Sequence, residues 1–311
     1  MAFIWKISIV EFKNKSIING VILNGSPSIR YKKIGSFNNF VNVISSYYRT
    51  PYSHGKFLLL SGGEEYELST DYKGGFNLET GHTINENFEV FIEGQSQPLI
   101  INQTYPVFFK ESENSLCIIS DIDDTILVSY TANIWKRINT LLFVSPHKRK
   151  NINFTQQLLN KVSDKNGRIF YVSKSEANLY AIITSFIKNS NLPIGYLMLT
   201  PYLRFMQLFN PKKGKDYKKN MIELIIQNSQ DKRFILMGDD TQQDIAVYTN
   251  IAELYPDRIL KIYIRKTLKN ITGNKRNQLN KLLGLTVSTL YFNNETDPKE
   301  EIMFIQNHQN K

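Results

Sequence analysis

The spacing of apolar residues divides the chain into two parts with different periodicity. In residues 1–110, short apolar runs alternate with turn-forming residues, and no amphipathic helix is evident. Many short strands without helices are typical of a small sandwich of β-sheets, which we predict over residues 1–110. Residues 30–52 fit either a helix or irregular chain. The predicted strands include 21–23, 56–60, 66–70 and 89–92, with turns at 25–27, 62–63 and 74–75.

From residue 116 onward, apolar runs of strand length alternate with segments of helical length and periodicity. Regular alternation of this kind predicts a Rossmann-like α/β fold, in which helices cover both faces of a parallel sheet. We therefore assign residues 111–311 to a second domain. Its predicted strands are 116–121, 168–173, 196–200, 233–238, 259–265 and 287–292, and its predicted helices are 131–143, 154–163, 176–189, 217–228, 242–254, 272–283 and 297–309.

The acidic segment after the first of these strands carries the most chemical information. Asp121, Asp123 and Asp124 lie where the apolar run 116–119 ends. Because successive strand residues alternate between faces, Asp121 and Asp123 are expected on the same side. Two such carboxylates repel each other unless a cation neutralises them, and a ligand set of oxygens suits Mg²⁺. The alternative is an acidic turn that only ends the strand.

Polar residues from three other places are expected at the same edge of the sheet, because ligands of such sheets bind beyond the carboxyl ends of the strands. They are Ser173 after one apolar run, Lys218 early in a helix, and the pair Asp239 and Asp244 after Gly238. Phosphoryl transfer needs these chemical types together: a carboxylate nucleophile, a second carboxylate for proton transfer, a divalent cation, and a hydroxyl and an ammonium that hold the phosphoryl group.

Composition places the chain among folded proteins of reducing compartments. Apolar residues make up 41% of the 311 residues, which is enough for buried cores. The single cysteine, Cys117, excludes a disulfide framework. The N-terminus has no features of a secretory signal, and no stretch approaches the roughly 18 apolar residues of a membrane span. We therefore expect a soluble, cytoplasmic protein.

The net charge of +10 is unevenly distributed. Residues 1–110 hold 10 Lys and Arg against 9 Asp and Glu, whereas the rest of the chain holds 28 against 19. Positive charge in the part with the carboxylate motif predicts an anionic partner, which composition alone leaves as a phosphorylated substrate, an anionic lipid or a nucleic acid. The alternative is a solvated surface that keeps the protein soluble.

The order of these motifs resembles the haloacid dehalogenase-like phosphatase superfamily. Within that superfamily, residues 115–266 are similar to the phosphatidate phosphatase family named after an actin-patch-associated protein, which is distantly related to the lipins. A turn at 70–76 also resembles transthyretin-like and immunoglobulin-like sandwiches. The strings that carry the family resemblance are Ile-Ser-Asp-Ile-Asp-Asp-Thr-Ile at 119–126, Phe-Tyr-Val-Ser at 170–173, Leu-Pro-Ile-Gly-Tyr-Leu at 192–197, Gly-Asp-x-x-x-x-Asp at 238–244 and Ile-Tyr-Ile-Arg at 262–265.

The resemblance implies roles for four carboxylates. Asp121 would be the nucleophile and a metal ligand. Asp123 would be the general acid and base, and its backbone carbonyl would bind Mg²⁺. Asp239 would bind the metal directly, and Asp244 would bind it directly or through water.

The resemblance also implies how the phosphate is held. Ser173 would contact the phosphate, and Lys218 would hold the phosphoryl oxygens, with Lys219 as its rival for that role. Thr125 would contribute through its backbone. Lys174 stands where family members often have glycine, and its charge would aid phosphate binding or alter specificity.

One further departure from the family pattern concerns Asp240, which stands where members usually carry a small hydroxyl residue. We expect either a carboxylate in the outer shell of the metal site or a solvent-exposed one.

Taken together, the resemblance implies a Mg²⁺-dependent phosphatidate phosphatase that forms an aspartyl-phosphate on Asp121. Its partner would be a phosphorylated lipid at an anionic membrane surface, to which the protein binds peripherally, and nucleic acid is not expected. Basic residues at 147–150 and 212–219, and the apolar insertion 129–150, would suit such a surface, unless the insertion packs on the core. Two alternatives stay open: a phosphatase for a soluble phosphomonoester, and a membrane- or protein-binding module with a vestigial site.

Overall fold

A computed structural model of the protein describes residues 1–25, 45–126, 152–202, 216–241, 243–268 and 271–309. The predicted helix 131–143, the insertion 129–150 and the basic residues 147–150 and 212–215 lie outside the described residues. The chain forms two compact units. The first comprises residues Met1–Glu111 and Ser175–Thr184 with a segment that begins at Leu199, and the second comprises the remaining described residues.

The first unit is built on two β-sheets that share one apolar core. The larger sheet has the order β3-β2-β1-β8, with β6 paired to β2, and the smaller sheet has the order β5-β4-β7. Side chains from both sheets, such as Ile9, Ile18, Leu59 and Val90, meet in this core. The strands are β1 (Ala2–Phe12), β2 (Lys15–Asn24), β3 (Thr50–Pro51), β4 (Lys56–Ser61), β5 (Glu64–Ser69), β6 (Gly75–Thr80), β7 (Phe88–Ile92) and β8 (Phe108–Phe109).

Four strands of this unit escape the sequence analysis, namely β1, β6 and the two-residue strands β3 and β8. Strand β1 is buried along nearly all of its 11 residues, so it shows none of the alternation that marks a half-exposed strand. Strand β6 begins at Gly75, within the pair of glycines that predicts only a turn. Gly74 does form such a turn, with a φ of 74° that favours glycine.

The second unit contains a six-stranded sheet with the order β11-β10-β9-β12-β13-β14. The pairs β10/β9, β9/β12, β12/β13 and β13/β14 are parallel. Strand β9 is buried at all five positions, as expected for a strand covered on both faces. The strands are β9 (Leu116–Ser120), β10 (Arg168–Glu176), β11 (Tyr196–Thr200), β12 (Arg233–Asp239), β13 (Ile259–Arg265) and β14 (Ser288–Phe292).

Helices connect these strands, close to the predicted positions. A 3₁₀ turn at Ala177–Leu179 replaces the start of the predicted helix 176–189. None of the described helices is long and apolar enough to cross a membrane. The helices are α1 (Asn153–Ser163), α2 (Tyr180–Asn189), α3 (Tyr217–Asn228), α4 (Asp244–Leu254), α5 (Gly273–Leu283) and α6 (Lys299–Gln309).

The predicted fold class, a parallel α/β sheet with antiparallel sheets before it, is confirmed. The sheet order places β9 beside β12, although strands β10 and β11 lie between them in the chain. The chain therefore reverses its direction of growth between β9 and β12, and such a reversal opens a crevice at the carboxyl ends of the two strands. Asp121 and Asp239 lie at this crevice.

Candidate active site

Asp121 lies immediately beyond the carboxyl end of β9, and its side chain is buried. The backbone N–H of Asp121 donates to the carbonyl of Met237 on β12 over 2.8 Å, which continues the pairing of the two strands. One carboxylate oxygen, Oδ1, accepts a hydrogen bond from Lys218. The other, Oδ2, is buried and has no hydrogen-bond partner among the described residues.

Asp239 and Asp244 bring two more buried carboxylates to the same crevice. Asp239 ends β12, and Asp244 begins α4. The backbone N–H of Asp239 donates to Asp244 Oδ2 over 3.2 Å, while Thr241 donates to Asp239 Oδ1 through both its N–H and its hydroxyl. Within the described part of the chain, Asp239 Oδ2 has no partner.

Gly238 makes the approach of these carboxylates possible. A Cβ atom at position 238 would lie 2.6 Å from Asp244 Oδ2 and 2.7 Å from the ring of Tyr248. Both distances are too short for carbon contacts, so only a residue without a side chain fits here. The Tyr248 hydroxyl donates to the Met237 carbonyl over 2.7 Å and thereby fixes the ring against the glycine.

Lys218 joins two of the three carboxylates. Its Nζ lies 2.8 Å from Asp121 Oδ1 and 2.5 Å from Asp244 Oδ1, and its side chain is fully buried. Lys219, its rival in the sequence analysis, instead has a 34% exposed side chain and pairs with Glu223 on the helix surface at 3.8 Å. The structure thus brings Lys218, and not Lys219, to the carboxylates.

Asp123 and Ser173 form a second buried pair beside this cluster. The Ser173 hydroxyl donates to Asp123 Oδ2 over 3.3 Å. Thr125 is buried as well, and its hydroxyl has no partner among the residues that the structure describes. The carboxylate of Asp123 is therefore held by Ser173, which lies within β10 (Arg168–Glu176) and not at the predicted strand end at residue 173.

Lys174 follows Ser173 and is half-buried at the edge of the cluster. Its Nζ donates to the side-chain carbonyl of Gln243 over 2.7 Å, just before α4 begins. Burial lowers the pKa of Lys174, and the charge of Lys218 lowers it further. Lys174 thus adds a second cation near the carboxylates, in a more accessible position than Lys218.

Burial and mutual repulsion dominate the electrostatics of the carboxylates. Burial raises the pKa of Asp121 well above its usual range; the Lys218 charge opposes this, and Asp244 and Asp239 reinforce it. Burial, followed by repulsion from Asp244, raises the pKa of Asp239 to about 7. Burial would lower the pKa of Lys218, but Asp121 and Asp244 outweigh burial and raise it above the ordinary value, so this lysine stays charged.

The cluster fits a divalent cation of the hard type. Oxygens of Asp121, Asp239 and Asp244 all lie within 4.8 Å of one another. Three ionised carboxylates and one lysine leave two uncompensated negative charges in a buried site, which is costly without a counter-ion. Asp239 Oδ2, which has no partner among the described residues, is a hard donor of the kind that Mg²⁺ prefers. The carboxylate of Asp123 lies outside this set, and the resemblance assigns its backbone carbonyl rather than its side chain.

Of the two alternatives for Asp240, the solvent-exposed carboxylate is excluded, because the residue is fully buried. Its carboxylate accepts hydrogen bonds from the N–H groups of Thr267 and Leu268 at 3.0 and 3.3 Å and from the Tyr291 hydroxyl at 2.7 Å. Lys275 donates to the Asp240 carbonyl over 2.6 Å. Asp240 therefore ties the segment after β13 to the end of β12.

Arg265, at the end of β13, is a buried residue near the site that the sequence analysis does not assign a role. It is paired with Asp239 in the sheet, and its guanidinium donates to the backbone carbonyl of Asp124 over 2.6 Å. The string Ile-Tyr-Ile-Arg at 262–265 marks the strand in the sequence. The contact itself depends on the turn at Asp124, which the sequence pattern does not reveal.

Comparison with known proteins supports the family resemblance. A family model described as the catalytic domain of phosphatidate phosphatase APP1 matches residues 116–266. An uncharacterised protein of Schizosaccharomyces pombe is 24% identical over 226 residues, which are 70% of this chain and 37% of that protein. Phosphatidate phosphatase APP1 of Saccharomyces cerevisiae is 30% identical over 187 residues, which are 58% of this chain and 30% of that protein. The chain thus spans about a third of the length of these relatives.

Among solved structures, a HAD-like phosphatase from Mesorhizobium loti superposes with a TM-score of 0.35 at 8% identity. The match covers 58% of this chain and 88% of that one.

Proposed function

Residues 116–266 of this chain belong to the catalytic-domain family of phosphatidate phosphatase APP1, and from this premise we propose that the chain is a Mg²⁺-dependent phosphatase that hydrolyses the phosphomonoester of phosphatidate. The observation that carries the chemistry is the buried cluster of Asp121, Asp239 and Asp244, bridged by Lys218 at the crevice between β9 and β12. The lipid substrate follows from the family.

Asp121 is the nucleophile in this proposal. Lys218 holds Oδ1, so Oδ2, for which the described residues offer no partner, is the oxygen that attacks phosphorus. A bond forms between Asp121 and the phosphorus, and the ester P–O bond breaks, giving an aspartyl-phosphate. Bound Mg²⁺ would be held by Asp121, Asp239, Asp244 and the carbonyl of Asp123, and it would neutralise charge on the phosphoryl oxygens.

Asp123 moves the protons. In the first step its carboxylic acid donates a proton to the departing ester oxygen, and in the second it accepts a proton from the attacking water. The bond between Asp121 and phosphorus then breaks and inorganic phosphate leaves. The hydrogen bond from Ser173 orients Asp123, and Lys218, Lys174 and the backbone at Thr125 bind the phosphoryl oxygens.

The substrate assignment is tested by comparing two forms of phosphate ester. Vesicles that contain phosphatidate and soluble monoesters such as p-nitrophenyl phosphate are incubated with the protein and Mg²⁺, and released phosphate is measured, with an excess of chelator as the control. We expect chelator-sensitive release that is at least about 10-fold faster from the vesicles, since remote binding energy of the lipid raises the rate.

Phosphate release from the soluble esters alone would contradict the lipid substrate, while the proposed hydrolysis of a phosphomonoester would stand. No release from any ester would favour a binding module with a vestigial site.

The cluster also predicts a pH-dependent stabilisation by Mg²⁺. Because the pKa of Asp239 is raised to about 7 without the cation, stability that is present below pH about 4 is lost as the pH rises through about 7. A cation that binds the ionised carboxylates restores this stability. At a Mg²⁺ concentration about 100 times the dissociation constant the gain is about 2.7 kcal/mol, and each pH unit below 7 removes up to about 1.4 kcal/mol of it through proton competition.

Thermal unfolding with and without Mg²⁺ at pH 6 and pH 8 measures this effect, and we expect the larger shift in Tm at pH 8. Asp239→Asn is the matched variant, because it keeps the shape and removes the charge. An equal shift at both pH values, or a full shift in Asp239→Asn, would show that the cation binds elsewhere.

A further inference from the structure

Residues 122–126, which follow Asp121 after β9, form one tight turn. The N–H of Ile126 donates to the carbonyl of Ile122 over 3.1 Å, so Asp123, Asp124 and Thr125 form the middle of the turn. Ile122 and Ile126 are buried apolar residues that anchor its two ends. The proposed acid and base and the proposed phosphate-binding backbone are therefore neighbours within five residues.

The centre of this turn has an unfavourable backbone conformation. Asp124 has a φ of 55°, in the left-handed region where a residue with a Cβ atom is disfavoured by about 1–2 kcal/mol. Aspartate visits this region more readily than most residues, but the conformation still needs support from its surroundings. Any change at Asp124 would redirect the carbonyl of Asp123 on one side and the N–H of Thr125 on the other.

Arg265 supplies that support from the end of β13. Its Nη1 donates to the carbonyl of Asp124 over 2.6 Å, and its Nη2 donates to Asn294 Oδ1 over 3.1 Å. Because the guanidinium is planar and buried, the packing around the arginine side chain fixes the plane from which the first bond is made, and the bond to Asn294 lies on its exposed side. The peptide bond between Asp124 and Thr125 is also planar, so holding the carbonyl fixes the opposite direction of the Thr125 N–H.

The strand that carries Arg265 is itself held close to the carboxylate cluster of Asp121, Asp239 and Asp244. Arg265 pairs with Asp239 in the parallel register of β12 and β13, and its carbonyl accepts from the N–H of Asp240 over 3.2 Å. Asp240 in turn binds the two N–H groups after β13, at Thr267 and Leu268. The buried guanidinium of Arg265 thus connects the turn with Asp123 to the strand end with Asp239.

We propose that Arg265 is a positioning residue, which holds Asp124 in the left-handed conformation and thereby aims the Asp123 carbonyl at the proposed cation site and the Thr125 N–H at the reacting phosphate. It touches neither substrate nor product. This inference rests on the proposed function for its catalytic consequence, while the conformational part stands without it.

The test measures kinetics in Arg265 variants, both in the unsubstituted chain and in Asp124→Gly, where glycine removes the backbone strain at position 124. In Arg265→Met we expect kcat on phosphatidate vesicles with Mg²⁺ to fall by about 10- to 100-fold, the range for misplaced catalytic groups, with KM within about threefold. Arg265→Lys should retain more activity, since its ammonium keeps one donor. In Asp124→Gly, where positive φ is not penalised, the loss caused by Arg265→Met should be at least about fivefold smaller.

Asn294→Ala is the matched control, because it removes the exposed partner of the same guanidinium and leaves the Asp124 bond in place; we expect kcat within about threefold of the unsubstituted chain. An unchanged kcat in Arg265→Met, or a loss of the same size in Asp124→Gly, would overturn the proposal. If Arg265→Met does not fold, the same comparisons are made with Arg265→Lys.

Amide hydrogen exchange separates this proposal from the proposed function. In Arg265→Met we expect exchange to rise by about 10-fold or more at residues 122–126 and to stay unchanged in the strands β9 and β12. This result would support the positioning role even if the unsubstituted chain released no phosphate, which would contradict only the proposed function. A rise across the whole sheet would indicate a merely structural residue and overturn the inference.

Discussion

Replacing Asp121 by Asn is expected to lower phosphate release from phosphatidate vesicles by about 10⁴-fold or more, as for other nucleophiles that are removed from an enzyme. The amide keeps the shape of the carboxylate and lacks the charged oxygen that attacks phosphorus. Asp121 Oδ2 is buried and has no hydrogen-bond partner among the described residues, so it is the oxygen of this carboxylate that is available to attack.

This loss is not expected to come from unfolding. Burial raises the pKa of Asp121, so its ionised form lowers the stability of the cation-free protein, and a neutral side chain removes that cost. Thermal unfolding in chelator should therefore give a Tm for Asp121→Asn at least as high as that of the unsubstituted chain. Asp164→Asn, which changes an exposed carboxylate after α1, is the matched control and should keep full activity.

A residual rate within about 10-fold of the unsubstituted chain would show that another group attacks the phosphorus. Normal activity combined with a normal Mg²⁺ response would leave Asp121 without a chemical role.

Replacing Lys218 by Met is expected to have the largest effect on stability. The substitution leaves the carboxylates of Asp121 and Asp244 without their buried cation, and breaking a buried ion pair from one side costs about 3–5 kcal/mol. Phosphate release should also fall, because Lys218 holds Asp121 Oδ1 and keeps Oδ2 available. The free energy of unfolding is measured by urea titration at pH 8 in chelator.

Lys219→Met is a closely matched control, since it removes the same charge from the next residue of α3. Its side chain is partly exposed and its pair with Glu223 spans one helical turn, which is worth about 0.2–0.5 kcal/mol. Equal losses in the two variants would contradict the assignment of Lys218 to the cluster.

Most of the second unit was predictable because strands and helices alternate there with different periodicities. The choice of lysine is also a matter of periodicity. Lys218 lies four residues before Ile222, on the face of α3 that is buried, whereas Lys219 points to the surface. The spacing from Ile222 is visible in the sequence. It does not decide which of the two adjacent lysines is buried until the orientation of the helix against the sheet is known.

Other features depend on contacts between distant segments, and the sequence pattern does not contain them. The sequence leaves Asp240 between an outer-shell and a solvent-exposed carboxylate, because no residue near it along the chain indicates the N–H groups of Thr267 and Leu268. The role of Arg265 depends on the positive φ of Asp124, and an aspartate indicates such a turn far less strongly than a glycine does. Strand β1 lacks alternation for the physical reason that both of its faces are covered.

The central claim is that the phosphoryl group passes through Asp121, and a direct measurement is to trap it there. The protein is mixed with phosphatidate vesicles and Mg²⁺ and quenched in acid, the acyl phosphate is reduced with borohydride, and peptides are read by mass spectrometry. The account predicts a reduced residue at position 121 that is absent without substrate and in Asp121→Asn. A modification at another carboxylate, or steady phosphate release with no modified residue at any quench time, would contradict it.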